Sequence, residues 1–447
     1  MKNFFKSIDN VWKIEELRNR VLFTLGLLLV YRFGAHVTLP GIDATKLLGL
    51  AGQTKQGVGS ILDMFTGGSF SKASVFALGI MPYISASIVV QLMGIAIPYL
   101  KKLQSDGESG RKKINQITRW LTIAITILQG SAYIANLHGI LPKEAFLLSE
   151  SPVTFAFSSI LILTTGTILA MWLGEKITDK GIGNGISLLI MVGILARLPQ
   201  ALVQEFTSRI TDNNGGPLVL VLEVIVWLLI IIACVLLVMA VRRIPVQYAR
   251  RTTSGDFEQD SLEGNRQWIP LKLNAAGVMP IIFAQAIMIV PTALAGLSDS
   301  DVAKSIGSTF GDMFGFWYNF LFATLIIVFT FFYTAITVPT NKMADDLKRS
   351  GGFIPGVKPG IETGDFLDKI MSLITFPGSL FLALIAIFPA FVVGLNVTQS
   401  WAMFYGGTSL IIMVGVAIDT IQQINTYILN KEYDGLMKTG KNRKAVA

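Results

Sequence analysis

Ten long apolar stretches recur along this chain of 447 residues, and they restrict its fold more than any other feature. A stretch of about 20 apolar residues is long enough to cross the hydrocarbon core of a bilayer as a helix. With 52% hydrophobic and only 15% charged residues, the chain is also too apolar to form a soluble core of its size. We therefore predict an all-α polytopic membrane protein with ten transmembrane helices. The predicted spans lie near residues 21–38, 76–98, 117–137, 152–174, 185–204, 217–240, 275–297, 315–338, 371–394 and 401–427.

The distribution of lysine and arginine predicts how the spans are oriented. Of the 37 basic residues, 28 fall in the N-terminal segment (1–20), in the loops after the second, fourth, sixth and eighth spans, and in the tail (428–447), and Arg119 at the start of the third span makes 29 on that side. Because basic residues concentrate on the cytoplasmic side, we expect both termini to be cytoplasmic. Either this asymmetry alone explains the net charge of +8, or the basic loops 242–272 and 342–369 also face an acidic or RNA-rich partner. No small-residue cleavage site follows the first span, so we expect no removable signal peptide.

Two short sequence repeats indicate that the chain consists of two related halves. Residues 77–86 (ALGIMPYISA) match 275–284 (AAGVMPIIFA) at six of ten positions, and residues 187–194 (SLLIMVGI) match 409–416 (SLIIMVGV) at six of eight. Both matches are displaced by five spans, as a five-plus-five duplication requires. An odd number of spans per half inverts the second half in the membrane, and such repeats place their working site between the halves. The predicted halves, arranged around a central pore, are residues 21–205 and 206–427.

The repeated segments carry isoleucines that an inverted repeat relates in pairs. Ile84 corresponds to Ile282, and Ile190 corresponds to Ile412. Isoleucine is an ordinary packing or lipid-facing residue, and that interpretation stays open. Alternatively, the pairs converge on the axis between the halves, where β-branched apolar side chains form a narrow constriction that blocks ions by dewetting.

The stretch 60–93 joins a short amphipathic piece to the second span. Gly67 and Gly68 break this piece, which is too short to cross a bilayer, and a hydrophobic helix is predicted from about Val75, kinked at Pro82. We therefore expect a re-entrant segment. Non-helical backbone at membrane depth is tolerated only inside protein or a water-filled cavity, so the segment predicts a cavity around it.

Polar side chains are sparse in the predicted spans. The amides Gln91, Gln129 and Asn274 either join neighbouring helices or bridge the two halves. Ionisable residues such as Glu223 and Asp419 fall toward span ends, and almost none is expected deeper in the membrane. This scarcity argues against an ion-coupled secondary transporter, which is the principal alternative function.

The sequence offers no recognisable catalytic or metal-binding constellation. Its two histidines, His36 and His138, are far apart in sequence and have no ligand-spaced partner. Cys234 stands alone, which excludes an intramolecular disulfide and a cysteine metal cluster. We therefore expect no cofactor, no metal and no enzymatic activity, so that energy for any vectorial work comes from a partner.

Several longer motifs, in order along the chain, carry a resemblance to a known family. They are MFTGGSFSKASVFALGIMPYISASIVVQ (64–91), GESGRKKI (107–114), GIGNGIS (181–187), RRIPVQYARR (242–251), LKLNAAGVMP (271–280), NKMADDLKRSGGFIPGVKPG (341–360) and FYGGTSL (404–410). On these motifs the chain resembles the SecY family, the channel-forming subunits of bacterial protein translocases. The resemblance extends over essentially the whole length.

The resemblance implies a passive channel in the bacterial plasma (inner) membrane. Such a channel moves unfolded preproteins across the membrane and releases hydrophobic segments sideways into lipid. It implies SecE-like and SecG-like small membrane subunits as partners, with translocation driven by the motor ATPase SecA or by the ribosome. Signal sequences would bind at a lateral gate, which lies between the second and third spans of one half and the seventh and eighth spans of the other.

The resemblance also assigns roles to individual residues. The segment 60–72 corresponds to a plug that seals the channel from outside, and its candidate residues are Ser60, Ile61, Leu62, Asp63, Met64, Phe65, Thr66, Gly67 and Gly68. The pore ring falls on Ile80, Ile84, Ile186, Ile190, Ile282 and Ile412, and the polar cluster of the gate on Gln91, Gln129 and Asn274. Docking of SecA or the ribosome falls on Arg242, Arg243, Arg250, Arg251, Lys348, Arg349 and Lys358. Lys358 replaces an arginine that is usual in the family, so it keeps the charge but loses the bidentate fork.

Overall fold

A computed structural model describes residues 12–43, 47, 63–141, 145–146, 152–211, 216–248, 267–295, 309 and 312–443. Within these residues, a helix lies at each of the ten predicted spans. In chain order the elements are α1 (Glu15–Gly34), α2 (Met81–Ala96), α3 (Pro98–Ser105), α4 (Gly107–Ile140), α5 (Pro152–Lys180), α6 (Gly185–Thr211), α7 (Gly216–Met239), β1 (Val241–Tyr248), β2 (Gln267–Lys272), α8 (Met279–Ala295), α9 (Phe316–Thr337), α10 (Thr340–Arg349), β3 (Gly352–Phe353), α11 (Ile361–Val393), α12 (Gln399–Ala402) and α13 (Gly407–Arg443).

Most of these helices have the length and composition of membrane spans. In the described part of the chain, seven are long and apolar enough to cross a membrane, and α2 joined to α3 would make an eighth. The seven are α4, α5, α6, α7, α9 together with α10, α11 and α13. The helices at the first and seventh predicted spans, α1 and α8, are not among the seven. Helix α1 carries charged residues in its first and last turns, and α8 has only 17 residues.

A sharp bend separates α2 from α3. The axes of the two helices differ by 105°. Pro98, the first residue of α3, has no amide proton and restricts the preceding Ile97 to an extended conformation, with φ −102° and ψ 115°. Consequently α3 runs across the direction of α2 instead of prolonging it.

The second span begins later than the sequence predicts. Residues 75–80 form turns and bends, and α2 starts at Met81, so the predicted helix start near Val75 is wrong. The amide of Val75 instead donates to the carbonyl oxygen of Val37 at 2.9 Å. Pro82 then lies in the first turn of α2, where its missing amide removes no helical hydrogen bond. The kink predicted at this proline is therefore wrong as well.

The repeated sequences adopt the same local conformation in both copies. Gly79 and Gly277 occupy equivalent positions, and both have left-handed φ angles, 54° and 64°. A helix starts two residues after each of them, α2 in the first copy and α8 in the second. In the other repeat, α6 begins at Gly185 and α13 begins at the equivalent Gly407. This agreement supports the predicted duplication.

The chain divides by its contacts into two compact units. The first comprises Met1–Asn213, Thr398–Trp401 and Ile412–Ala447, and the second comprises Asn214–Val397 and Ala402–Ile411. A buried apolar cluster of the first unit joins residues of α4 and α5 to the segment before α2 and includes Phe70, Tyr133 and Phe155. Because contact grouping does not measure sequence repeats, the boundary between halves at 205/206 stays a prediction.

In the second unit, parts of the two predicted docking loops form one small antiparallel sheet. β1 pairs with β2 from Val241↔Lys272 to Val246↔Gln267. It also pairs with β3 at Gln247↔Phe353 and Tyr248↔Gly352. Buried apolar side chains of this sheet, among them Ile244, Val246 and Leu271, form one cluster with Leu347 of α10 and Leu367 of α11. The loops 242–272 and 342–369 are thus folded together, which the sequence analysis did not predict.

Candidate functional site

The segment 63–71 makes up most of the predicted plug, and it lies inside the first unit. Ser60, Ile61 and Leu62 lie outside the described residues. Every residue of 63–71 is buried, in one short helical turn followed by further turns. Gly67 and Gly68 have φ angles of 64° and 91°, a left-handed conformation that glycine adopts at little cost. This geometry supports a re-entrant segment.

Helix α6 forms the surface on which this segment rests. A Cβ atom added to Gly193 would lie 2.5 Å from the carbonyl oxygen of Phe65. A Cβ atom added to Gly67 would lie 2.9 Å from the Cα atom of Gly193. Real Cβ atoms essentially never approach other heavy atoms this closely. The backbones of the segment and of α6 therefore meet at two glycines, Gly67 and Gly193, which we call the plug seat.

An ion pair lies one helical turn beyond the seat. Arg197 of α6 forms an ion pair with Asp63 and donates a hydrogen bond to the hydroxyl oxygen of Ser71 at 3.2 Å. The other carboxylate oxygen of Asp63 accepts from the backbone amide of Ser71 at 2.8 Å. Arg197 lies well inside the predicted span 185–204. Arg197 is therefore an exception to the expected scarcity of ionisable side chains deep in the spans.

A second arginine reaches the segment from α1. The Nη1 atom of Arg32 donates to the carbonyl oxygen of Gly67 at 2.9 Å. Where the segment ends, the Nζ atom of Lys72 lies 3.0 Å from the Nδ1 atom of His36. Burial and the positive charge of Arg32 lower the pKa of Lys72, which lies outside the predicted spans.

An aromatic side chain holds the last residues of the segment. The hydroxyl of Tyr133 in α4 donates to the carbonyl oxygen of Phe70 at 2.7 Å, and the centroids of the two rings are 4.8 Å apart. Further along, Phe76 stacks on Tyr31 of α1 at 5.2 Å. Together with the plug seat, these contacts attach the segment to α1, α4 and α6.

A second buried ion pair lies near the end of α6. The Nε atom of Arg209 donates to Glu205 at 2.8 Å, and the two side chains are 5% and 1% exposed. The other oxygen of Glu205 accepts from the backbone amide and the hydroxyl of Thr398. Glu205 lies eight residues after Arg197, which is about 12 Å along a helix. This pair therefore belongs to a different region of α6 from the plug seat.

The predicted docking residues are exposed wherever the structure describes them. Arg242 and Arg243 lie at the start of β1, and Lys348 and Arg349 end α10. The side chain of Lys358 is 84% exposed, with its Nζ atom 3.5 Å from Glu362. Arg250 and Arg251 lie outside the described residues.

Comparison with known proteins gives this chain a family. The SecY family model matches residues 74–421. The protein translocase subunit SecY of Aquifex aeolicus is 38% identical over 442 residues, which cover 98% of this chain and 100% of the relative. That of Streptomyces coelicolor is 38% identical over 440 residues, covering 96% and 98%. The chain belongs to the SecY family.

Solved structures agree with this membership at the level of the fold. A protein-conducting channel aligns with a TM-score of 0.58 at 16% identity, covering 91% of each chain. A SecY protein whose plug domain stabilises the closed state of the translocation channel aligns with a TM-score of 0.61 at 17% identity. The predicted fold class, an all-α multi-pass membrane protein with ten helices, is confirmed.

In this SecY-family chain, one face of α6 carries two of the predicted ring residues and the attachment of the segment 63–71. Ile186, Ile190, Gly193 and Arg197 follow one another at spacings of four, three and four residues. Residues at such spacings lie on the same side of a helix. The side chain of Ile190 is buried, and that of Ile186 is partly buried.

The remaining ring residues are divided between the two units. Ile80 immediately precedes α2 and is buried, and Ile84 lies in the first turn of that helix. Ile412 is buried in α13, also in the first unit, whereas Ile282 lies in α8 of the second. The pore ring stays a prediction, because its members belong to separate units.

The gate residues are divided in the same way. Gln91 donates to the hydroxyl of Ser87 within α2 at 3.3 Å, and Gln129 is exposed on α4; both belong to the first unit. Asn274 is buried just before α8 in the second unit. The lateral gate of this SecY-family chain therefore also stays a prediction.

The contacts that hold the segment 63–71 to α6 and α1 were missed in the sequence. Arg197 interrupts an apolar run, and an ionisable residue inside a span needs a partner or a water-filled cavity. Asp63, at the start of the glycine-containing piece, is an acid that can serve as that partner. The signal that could have found the pair was thus one unexplained charge of each sign, Arg197 inside a predicted span and Asp63 in the predicted re-entrant segment.

Proposed function

We propose that this chain is the channel-forming subunit of a protein translocase, a passive conduit that moves unfolded preproteins across the membrane and releases hydrophobic segments sideways into lipid. The observation that carries the proposal is the buried segment 63–71 on its seat in α6. Non-helical backbone lies among membrane helices only where protein or a water-filled cavity surrounds it. The names of the relatives, protein translocase subunits, supply the activity for which such a segment would be the plug.

The proposed channel opens by differential binding of a signal sequence. This apolar helix intercalates at the predicted lateral gate. Because it binds the open arrangement better than the closed one, it shifts the population toward the open channel. The plug then leaves its seat, and the ring isoleucines close around the moving chain without fixed bonds to break.

The driving force comes from a partner on the cytoplasmic side. The exposed basic residues on and beside the small sheet can bind an acidic protein surface or RNA phosphates. Two similar solved channels, canine Sec61 and yeast Ssh1, are ribosome complexes. We therefore propose SecA and the ribosome as partners, together with SecE-like and SecG-like small subunits. The proposed location is the bacterial plasma membrane, with both termini cytoplasmic.

Single-channel conductance in planar bilayers tests the proposal. Wild type is compared with a deletion of residues 63–71 and with the double variant Ile84→Gly/Ile282→Gly. We expect wild type to be almost silent and both altered channels to pass ions, because the deletion removes the plug and glycine removes the side chains of the constriction. If none of the three conducts, the isoleucines are ordinary packing residues and the pore assignment is wrong.

A further inference from the structure

Charged groups attach the segment 63–71 to α6 and α1. The two carboxylate oxygens of Asp63 bind the guanidinium of Arg197 and the backbone amide of Ser71. Arg197 also donates to the hydroxyl of Ser71, and Arg32 donates to the carbonyl oxygen of Gly67. Resting on the function proposed above, we propose that Asp63, Arg197 and Arg32 form a polar latch that holds the plug on its seat and sets how readily the channel opens.

Attachment by charged groups suits a segment that must move from a buried site into an aqueous channel. Apolar side chains that move into an aqueous channel lose the whole benefit of their burial. A buried ion pair contributes less net free energy, because its two ions regain hydration when they separate. The Asp63–Arg197 pair thus fixes the position of the plug without making its departure prohibitively unfavourable.

The burial of the latch predicts how single and double substitutions differ. Asp63 is 6% exposed in the seated segment. Arg197→Gln would leave its carboxylate without a cation, and Asp63→Asn would leave the guanidinium without an anion. Each single change therefore penalises the seated plug: Arg197→Gln leaves a buried carboxylate without its cation, and Asp63→Asn removes the charged acceptor of a half-buried guanidinium. The double variant removes both charges together. Its open probability should therefore rise by less than the product of the two factors by which the single variants raise it.

The ion pair between Glu205 and Arg209 provides a matched control on the same helix. It is more deeply buried than the latch, and its carboxylate binds Thr398. Arg209→Gln therefore breaks a buried ion pair of α6 about 12 Å or more from Arg197 along the helix. General weakening of α6 would affect this control at least as much as Arg197→Gln.

The measurement is the open probability of the full-length chain in planar bilayers without a signal sequence. The reference value is the open probability of wild type, which opens only rarely. We expect Arg197→Gln and Asp63→Asn to raise it by about tenfold to a hundredfold, the range for loss of a hydrogen bond to a charged group. Arg32→Gln should raise it by a smaller factor, because its acceptor is a neutral carbonyl. Arg209→Gln should leave it unchanged.

Three results would overturn the latch. If Arg197→Gln and Asp63→Asn open no more often than wild type while the 63–71 deletion conducts, the latch is refuted and the proposed channel stands. If the deletion is silent too, the proposed function fails and the latch with it. If Arg209→Gln opens as often as Arg197→Gln, the effect is general damage to α6. Should Arg197→Gln fail to fold, as thermal unfolding would show, Asp63→Asn on the segment itself decides the test.

Discussion

Replacing Gly193 by alanine should loosen the plug while leaving α6 helical. The new Cβ atom would lie 2.5 Å from the carbonyl oxygen of Phe65 and 3.4 Å from the amide nitrogen of Gly67. Both of these atoms belong to the backbone, so the segment must move away from α6 to relieve the contact. Overpacking of this kind costs about 1–3 kcal/mol, which corresponds to a roughly 5- to 150-fold higher ratio of open to closed channels.

A matched alanine substitution separates the clash from the effect of alanine on a helix. Alanine favours a helix interior over glycine by about 1 kcal/mol, so Gly193→Ala should make α6 itself slightly more stable. In α4, a Cβ atom on the buried Gly130 would meet its nearest neighbours, side-chain atoms of Leu163 and Leu78, at 3.8 and 3.9 Å. These are ordinary contacts, so Gly130→Ala should gain the same helix preference without a clash.

The assay combines open probability in planar bilayers with thermal unfolding of the purified chain. We expect Gly193→Ala to open more often than wild type at an equal or higher unfolding temperature, and Gly130→Ala to be as quiet as wild type. A Gly193→Ala channel that is folded and as quiet as wild type would show that the segment does not rest on α6 at this glycine.

Three further outcomes concern the small sheet and the end of the segment 63–71 near Lys72. Gly352→Val should weaken ribosome binding in cosedimentation, because its Cβ atom would lie 2.9 Å from the ring of Tyr248, where β1 pairs with β3. Unchanged binding would show that docking does not depend on this pairing. Lys358→Arg should strengthen the same binding a few-fold, since a guanidinium binds phosphate through two hydrogen bonds; equal affinity would exclude contact at this turn. Acidification should raise the open probability. His36 is neutral above the usual histidine pKa of about 6.5, and its protonation at lower pH sets a second cation 3.0 Å from Lys72. A pH response that persists in His36→Gln would contradict this assignment.

The helices of this chain could be predicted because membrane spans have a strong local signal. A run of apolar residues long enough for a bilayer leaves a helix as the main way to satisfy its backbone. The start of α2 could not be placed in this way, since residues 75–80 are as apolar as a helix would require. Their conformation depends on the left-handed Gly79 and on the hydrogen bond from Val75 to Val37. Contacts between distant parts of the chain decided that boundary.

The candidate site was predictable only in part, for a similar reason. Gly67 and Gly68 signal a turn within a few residues, and the structure has a turn there. The attachment of that turn joins groups far apart in sequence: Ser71 and Arg197 are separated by 126 residues. No local pattern encodes such a contact. The pairing of β1 with β3 escaped prediction in the same way, because it joins two loops that the sequence presents separately.

The position of the latch on α6 also bears on how the two proposed seals act together. Ile190 and Gly193 are three residues apart on one face of this helix, which places them about 4.5 Å apart along its axis. A constriction at Ile190 and a plug seated at Gly193 and Arg197 therefore share one support. A shift of α6 would displace both seals at once, whereas release of the polar latch would move the plug alone. Release of the proposed latch would let the predicted plug leave while α6 keeps its place, so that the predicted ring could still close around a moving chain.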